Sequence, residues 1–220
     1  MLRVARPLNA MGASVETDCG RPPLRIGGNC ELVAIDYSMP VASAQVKSCL
    51  MLAGLYAQGA TTVIEPAPTR DHTERMLNVF NRPVKANSGR VSLEGGRPLQ
   101  GCSINVPADI SSAAFFLVAG TIARQGSDLL IKNVGMNPTR TGVIDILRLM
   151  GANIDVINLV NVEGEPSADI RVRPARLTGI TIPEHLVPLA IDEFPAIFVA
   201  AACAQGETLL TGAEELRVKE

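Results

Sequence analysis

Two short stretches carry side chains suited to phosphate and proton chemistry. In SAQVKS, Ser43 and Gln45 stand where an apolar helix begins. A hydroxyl, an amide and the unpaired N–H groups of a helix start can together meet a phosphate. The alternative is an N-cap serine beside a solvent-facing glutamine. In AIDEFP, Asp192 lies among apolar residues at the mouth of another apolar helix. A carboxylate there can be tuned for proton transfer. Its alternative is a helix cap, which is how Asp109 in ADISS reads. Arg70 follows a proline-containing turn and opens a helix, a place that suits phosphate or carboxylate recognition. It reads equally as a surface arginine, and Arg140 occupies the same repeat position, as a scaffold residue would. Lys219 and Glu220 form an adjacent cation and carboxylate that could hold an anion and move a proton, or simply start an exposed helix. NPTRTG around Arg140 reads as a turn plus helix cap, with no chemistry assigned.

The elements that must position these residues form a repeat. Three strongly apolar helices run into Gly59, Gly126 and Gly206, and each is followed by a strand. Aligning the three glycines puts Gln45, Ser112 and Asp192 at equivalent places near the helix starts. In the first helix Val46, Leu50, Ala53, Gly54 and Ala57 recur at helical spacing. Helices so apolar are expected to be buried. Strands are expected at 30–36, 61–64, 128–131 and 208–211, and a strand pair at 83–86 and 91–94. A second helix follows TRDHTE, with Thr73, Met76, Leu77 and Phe80 on one side and charges on the other. The unit is strand, buried helix, strand, amphipathic helix, two strands. Its period of roughly 70–80 residues is too long for a solenoid and right for a repeated supersecondary unit. One cycle closes and the next opens near Asn105–Ala108, so domains are expected at 1–106 and 107–220.

Composition narrows the class. Of 220 residues 47% are hydrophobic, with mean hydropathy +0.22, so a large core can form. Aromatics are 3% with no Trp, leaving Ala, Val, Leu and Ile to fill that core. A net charge of −2 argues against a nucleic-acid binder, which would show a basic surplus. Five cysteines, an odd number with no CxxC, read as reduced core thiols of a cytoplasmic protein. Two histidines argue against a His/Cys metal site. No apolar run is long enough to span a bilayer, and no signal-peptide layout opens the chain. The first helix is entered without a cap and the chain stops where a helix starts, so the sequence reads as an internal segment.

Taken in order, SAQVKS, LAGL, TTVIEP, TRDHTERML, DISSAAFFL, NPTRTG, IDEFP and ELRVKE resemble the bacterial 5-enolpyruvylshikimate-3-phosphate synthases (3-phosphoshikimate 1-carboxyvinyltransferases) over essentially the whole chain. SAQ in place of SSQ, with TRDHTE, is similar to the branch often described as glyphosate-tolerant. The resemblance implies an α/β fold of two lobes, the enolpyruvyl transferase inside-out barrel. Each lobe is built from three βαβαββ units, with buried helices inside, sheets outside and helix N-termini facing the cleft between the lobes. Residues 1–106 would form the later part of one lobe and 107–220 the earlier part of the other, incomplete at both ends.

It also implies transfer of the enolpyruvyl group of phosphoenolpyruvate to the 5-hydroxyl of shikimate 3-phosphate, in the shikimate pathway of aromatic amino-acid biosynthesis, with no metal or organic cofactor. On that basis Ser43, Ala44 and Gln45 would hold shikimate 3-phosphate, with Gln45 also near phosphoenolpyruvate. Arg70 would contact the shikimate ring side, and Asp192 would accept the hydroxyl proton. Lys219 would hold the shikimate phosphate or hydroxyl region, and Glu220 would donate a proton. The full-length protein would be monomeric and cytoplasmic, with no nucleic-acid or membrane partner.

The family's N-terminal Lys-Ser pair, its glycine-containing phosphoenolpyruvate loop, its Arg-Pro turn and the SDR after KE are absent from this sequence. Ala108 replaces a usual glycine. The 220 residues alone are therefore expected to turn over poorly. Two alternatives are a relative of the UDP-N-acetylglucosamine enolpyruvyl transferases, whose Cys-bearing loop is not seen, and a non-catalytic remnant that at most binds a phosphorylated ligand.

Overall fold

Serine, aspartate and glycine punctuate the chain much as the sequence suggests. The structure is a computed structural model that describes residues 1–28, 31–160 and 164–217. It divides into two compact units, Met1–Ser103 and Ile104–Glu220.

The first unit opens with α1 (Leu2–Ala10) and an antiparallel hairpin of β1 (Val15–Asp18) and β2 (Arg21–Ile26). One full cycle follows: β3 (Asp36–Ser38), α2 (Ala44–Gly54), β4 (Ala60–Ile64), α3 (His72–Val79), β5 (Val84–Asn87) and β6 (Arg90–Glu94). The sheet order is β3-β4-β6-β5, with β3 parallel to β4 and the other pairs antiparallel. Ser43 caps α2 from an extended backbone, its Oγ accepting the Val46 N–H at 3.4 Å. Gly59, at φ +94°, turns the chain into β4 where a side chain would be strained. Val46, Leu50 and Met51 of α2 pack into one core with Val63, Leu77, Val91 and Leu93.

The second unit holds α4 (Ile110–Ile122), β7 (Leu129–Gly135), α5 (Gly142–Leu149), β8 (Asn153–Val160), β9 (Ser167–Arg173) and α6 (Phe194–Ala202). Its antiparallel sheet runs β7-β9-β8, the same arrangement as β4-β6-β5. The strand that should precede α4 is reduced to a parallel bridge between Ala108 and Val134. Among the described residues the segments flanking α6 pair through parallel bridges, Thr178 to Gln205 and Thr181 to Leu209. The strand expected at 208–211 is thus a single bridge, and the one expected at 30–36 shifts to Asp36–Ser38. Each is a parallel edge pairing, the kind less stable per residue than an antiparallel ladder.

Three further expectations need correction. The apolar helices are not buried on all sides: α4 packs on α6, β7 and β9, yet Phe115 and Phe116 stay 61% and 59% exposed, and Phe198 of α6 is 50% exposed. A helix touching neighbours on one side covers only that stripe, whatever its composition. The charges of α3 do not all face out, because Glu74 is buried beside Leu77. Cys19, Cys102 and Cys203 are exposed free thiols and only Cys49 is half-buried, so the core is filled without them; Cys30 lies outside the described residues.

Gly95 shows how tightly the first unit is closed. A Cβ there would sit 1.9 Å from the Ala57 carbonyl oxygen and 2.5 Å from that of Gly54. Backbone on both sides leaves nothing to yield. Gly95→Ala is expected to destabilise the unit by about 1–3 kcal/mol. Urea denaturation followed by tyrosine fluorescence reads this directly, since both tyrosines, Tyr37 and Tyr56, lie in the first unit.

Candidate functional site

In the first unit the start of α2 is held by a buried ion cluster. Lys47, one turn past Ser43, is 1% exposed. Its Nζ lies 2.6 Å from Glu74 Oε1 on α3, and 3.2 Å and 3.3 Å from the two oxygens of Glu65, which follows β4. Thr69 Oγ1 donates to the same Glu65 carboxylate. Thr73 Oγ1 donates to Ser48 Oγ at 2.7 Å, and Arg75 Nε to Asp71 Oδ2 at 2.9 Å. Arg70 thus sits between two fastened neighbours, Thr69 and Asp71, and is half-buried. Ser43 and Ala44 are half-buried at the α2 start and Gln45 is exposed. Beside them is a cleft of about 290 Å³ lined by Arg3, Arg6, Tyr37, Met39, Ser43 and Val46. Arg3 and Arg6 bring positive charge to its lining, beside the apolar Leu2, Pro40 and Val41 and close to the N-terminus of α2.

In the second unit Arg140 joins two helix starts. Its guanidinium donates to Ser111 Oγ on α4, and to Glu193 Oε1 at 3.1 Å, the residue that precedes α6. Ser111 also donates to Glu193 Oε1, and the Glu193 side chain is fully buried. Asp109 Oδ1 and Asp192 Oδ2 stand 3.9 Å and 4.0 Å from the same guanidinium. Asp109 caps α4, accepting the Ser112 N–H at 2.8 Å and its hydroxyl at 2.9 Å. Partial burial works against the Asp109 carboxylate. Hydrogen bonds from Ser112, then Ser111, and the charge of Arg140 outweigh it and hold the pKa below the usual aspartate value.

Asp192 does not sit where the glycine alignment puts it. Gln45 and Ser112 are inside the first turns of α2 and α4, whereas Asp192 precedes the Glu193 N-cap of α6. The Phe194-Pro195 step explains the delay, because proline is favoured in a first helical turn and directs the helix to begin there. Ser43, Ala44, Gln45 and Arg70 belong to the first unit and Asp192 to the second. Lys219 and Glu220 lie outside the described residues.

Sequence reasoning missed Lys47, Glu65, Glu74, Ser111 and Glu193, and assigned Arg140 no chemistry. A signal existed for Arg140: like Arg70, it stands two residues before an amphipathic helix. Among the described residues no group of three His, Cys, Asp or Glu side chains is disposed to hold a metal ion. No helix among them is long and apolar enough to cross a membrane.

The fold is that of the enolpyruvyl transferases. The enolpyruvyl transferase NikO from Streptomyces tendae superposes with a TM-score of 0.69 over 94% of this chain and 50% of its own, at 15% identity. At higher identity, EPSP synthase from Acinetobacter baumannii gives a TM-score of 0.92 at 56% identity, over 100% of this chain and 50% of that one. The 3-phosphoshikimate 1-carboxyvinyltransferases of Alkalilimnicola ehrlichii and Methylococcus capsulatus are 66% and 63% identical over 100% of the chain, which covers 49% and 50% of them. The family profile described as EPSP synthase (3-phosphoshikimate 1-carboxyvinyltransferase) matches residues 1–220, and the chain belongs to that family. It spans about half the length of the curated relatives it matches.

Both clusters yield measurable expectations. Lys47→Met strands two buried carboxylates, and removing one partner of a buried pair costs about 3–5 kcal/mol. The same tyrosine-monitored urea titration should show a loss of that size. Asp109→Ala removes a helix cap worth about 1 kcal/mol. The folded pKa of Asp109 is lowered, so its ionic contribution is present above the unfolded value of about 3.9 and fades as pH falls through the folded value. Melting temperatures of Asp109→Ala and the unsubstituted chain should therefore differ at pH 7 and converge toward pH 2.

Proposed function

We propose that this chain supplies part of an enolpyruvyl transfer site, working on shikimate 3-phosphate and phosphoenolpyruvate in the shikimate pathway. The observation that carries the reading is the family match along all 220 residues. Residues 1–106 contribute the later part of one lobe and 107–220 the earlier part of the second. Ser43, Ala44, Gln45 and Arg70 bind shikimate 3-phosphate. The exposed amide of Gln45, the α2 N-terminus and the adjoining cleft with Arg3 and Arg6 support an anion there. Asp192 takes the proton of the 5-hydroxyl as its oxygen bonds to the enol carbon of phosphoenolpyruvate. Glu220 delivers a proton to the methylene carbon, and Lys219 holds the shikimate phosphate or hydroxyl region. The adduct then breaks its carbon–phosphate-oxygen bond, releasing inorganic phosphate, and a methyl proton returns to the Glu220 carboxylate. No step calls for a metal or organic cofactor. A cytoplasmic monomer without a nucleic-acid partner goes with this reading, and the net charge of −2 supports the last point.

The two substrates carry two phosphates and a carboxylate, and enclosing them requires several cations. The chain spans half the family's length, so low turnover is expected from it alone, with binding of shikimate 3-phosphate retained. Calorimetric titration of the 220-residue chain should give saturable one-to-one binding. Replacing Ser43 and Gln45 together by Ala should weaken it at least about tenfold, or about 1.4 kcal/mol. No heat with the unsubstituted chain would overturn the substrate assignment. In a protein extended to the relatives' length, Asp192→Asn should lower phosphate release by about 10²–10⁴-fold with an unchanged melting temperature. Full turnover would remove Asp192 from the role.

A further inference from the structure

Lys47 is the most deeply buried cation among the described residues, and it meets two carboxylates that bracket one loop. Its Nζ lies 2.6 Å from Glu74 Oε1, in the first turn of α3, and 3.2 Å and 3.3 Å from the oxygens of Glu65, directly after β4. Both carboxylates are buried as well, at 6% and 8% exposed. Between them run Pro66, Ala67, Pro68, Thr69, Arg70, Asp71, His72 and Thr73. The two prolines limit how that segment can bend. Other bonds hold one end each. The Glu65 N–H donates to the Gly89 carbonyl at 2.7 Å, and Thr73 Oγ1 donates to Ser48 Oγ at 2.7 Å. Lys47 holds both ends at once. It does so from α2, where its N–H donates to the Ser43 carbonyl at 3.0 Å, one turn past the cap.

We propose that Lys47 is a positioning residue for the ligand site of the first unit: by clamping Glu65 and Glu74 it fixes the loop that carries Arg70 against the α2 start that carries Ser43 and Gln45. The assignment rests on the reading of Arg70 and Gln45 as contacts to shikimate 3-phosphate, and adds what sets their mutual placement. Arg70 has interactions of its own, and Lys47 determines where the segment bearing them begins and ends. An ammonium has three donors, enough to bond both carboxylates together. Charge-assisted bonds are roughly twice as strong as neutral ones such as Thr73 to Ser48. Desolvation offsets most of that gain, so replacing all three groups by apolar side chains keeps the fold. What the replacement loses is the placement of loop against helix, and a ligand hydrogen bond stretched by about 1 Å is no longer one.

The test is a double-mutant cycle on shikimate 3-phosphate affinity, read by calorimetry with the 220-residue chain. The clamp-free background carries Lys47→Met, Glu65→Leu and Glu74→Leu together. Arg70→Ala should weaken binding at least about tenfold in the unsubstituted chain and less than about threefold in the clamp-free one. Gln45→Ala should cost the same factor in both, because Gln45 rides on α2 and not on the loop. The cycle cancels the change in field that the triple substitution itself brings. A merely structural cluster would shift the melting temperature and leave the Arg70 factor equal in the two backgrounds; that equality overturns the proposal. An Arg70→Ala chain that binds as tightly as the unsubstituted one overturns it too, by removing Arg70 from the site. If the triple fails to fold, Glu74→Leu, which leaves Lys47 paired with Glu65, takes its place in the cycle. If the unsubstituted chain binds nothing, the substrate reading falls separately, and amide hydrogen exchange at Ala67, Thr69 and Arg70 decides the clamp. Exchange about tenfold faster without the clamp supports it, and unchanged rates overturn it.

Discussion

A charge withdrawn from water at a helix start has to be met by an opposite charge from a different element. Both units are fastened by that requirement. In the first, the Lys47 ammonium joins α2, the end of β4 and α3 through Glu65 and Glu74. In the second, the Arg140 guanidinium joins α4, the turn before α5 and the start of α6 through Ser111 and Glu193. Desolvation offsets most of the Coulomb gain in such clusters, so they are a weak source of stability compared with apolar packing of equal volume. Their effect is on arrangement. A pairing that is costly to break and gains little when made selects which segments meet, and the segments it selects here carry Ser43, Gln45, Arg70 and Asp192.

The apolar packing around these clusters repeats. The order β4-β6-β5 recurs as β7-β9-β8, with an apolar helix before the first strand and an amphipathic helix after it. Gly59, Gly126 and Gly206 adopt φ of +94°, +92° and +89°, so the same left-handed corner follows α2, α4 and α6. What decays along the chain is the parallel strand ahead of each apolar helix, from three residues at β3 to isolated bridges at Ala108 and Thr178. The helix and its glycine corner survive that loss because their bonds are local. The strand depends on a neighbour that supplies a longer ladder.

The same distinction explains what the sequence disclosed. Ser43 and Asp109 were readable as caps, and the glycine corners as helix ends, because each reports on bonds made within a few residues. The strand pair β5–β6 and the helix order were readable for the same reason. Lys47 was not: its partners lie 18 and 27 positions away, and nothing in VKSCL announces a buried ammonium. Glu74 followed the usual rule for a charged residue on an amphipathic helix and was placed outside, where only knowledge of Lys47 would have moved it. Ser43 and Gln45 stood out by residue type, but their assignment to a substrate came from resemblance to a family, which the match over residues 1–220 bears out at the level of the family. The residues around Asp192 were hidden because Arg140 was judged by its own turn instead of by the two helix starts it reaches.

The three helix starts also differ in what the cap leaves to chemistry. At α2 a hydroxyl caps, and the polar residue inside the first turn, Gln45, faces solvent. At α4 a carboxylate caps, and Ser112 is drawn into that cap by both its N–H and its hydroxyl. At α6 no side chain caps at all, because the Glu193 carboxylate is turned to Ser111 and Arg140. Asp192 stands one residue before that N-cap, with its Oδ2 4.0 Å from the Arg140 guanidinium. The same repeated scaffold thus produces a solvent-facing amide at one start, a sealed cap at the next and a carboxylate beside a guanidinium at the third.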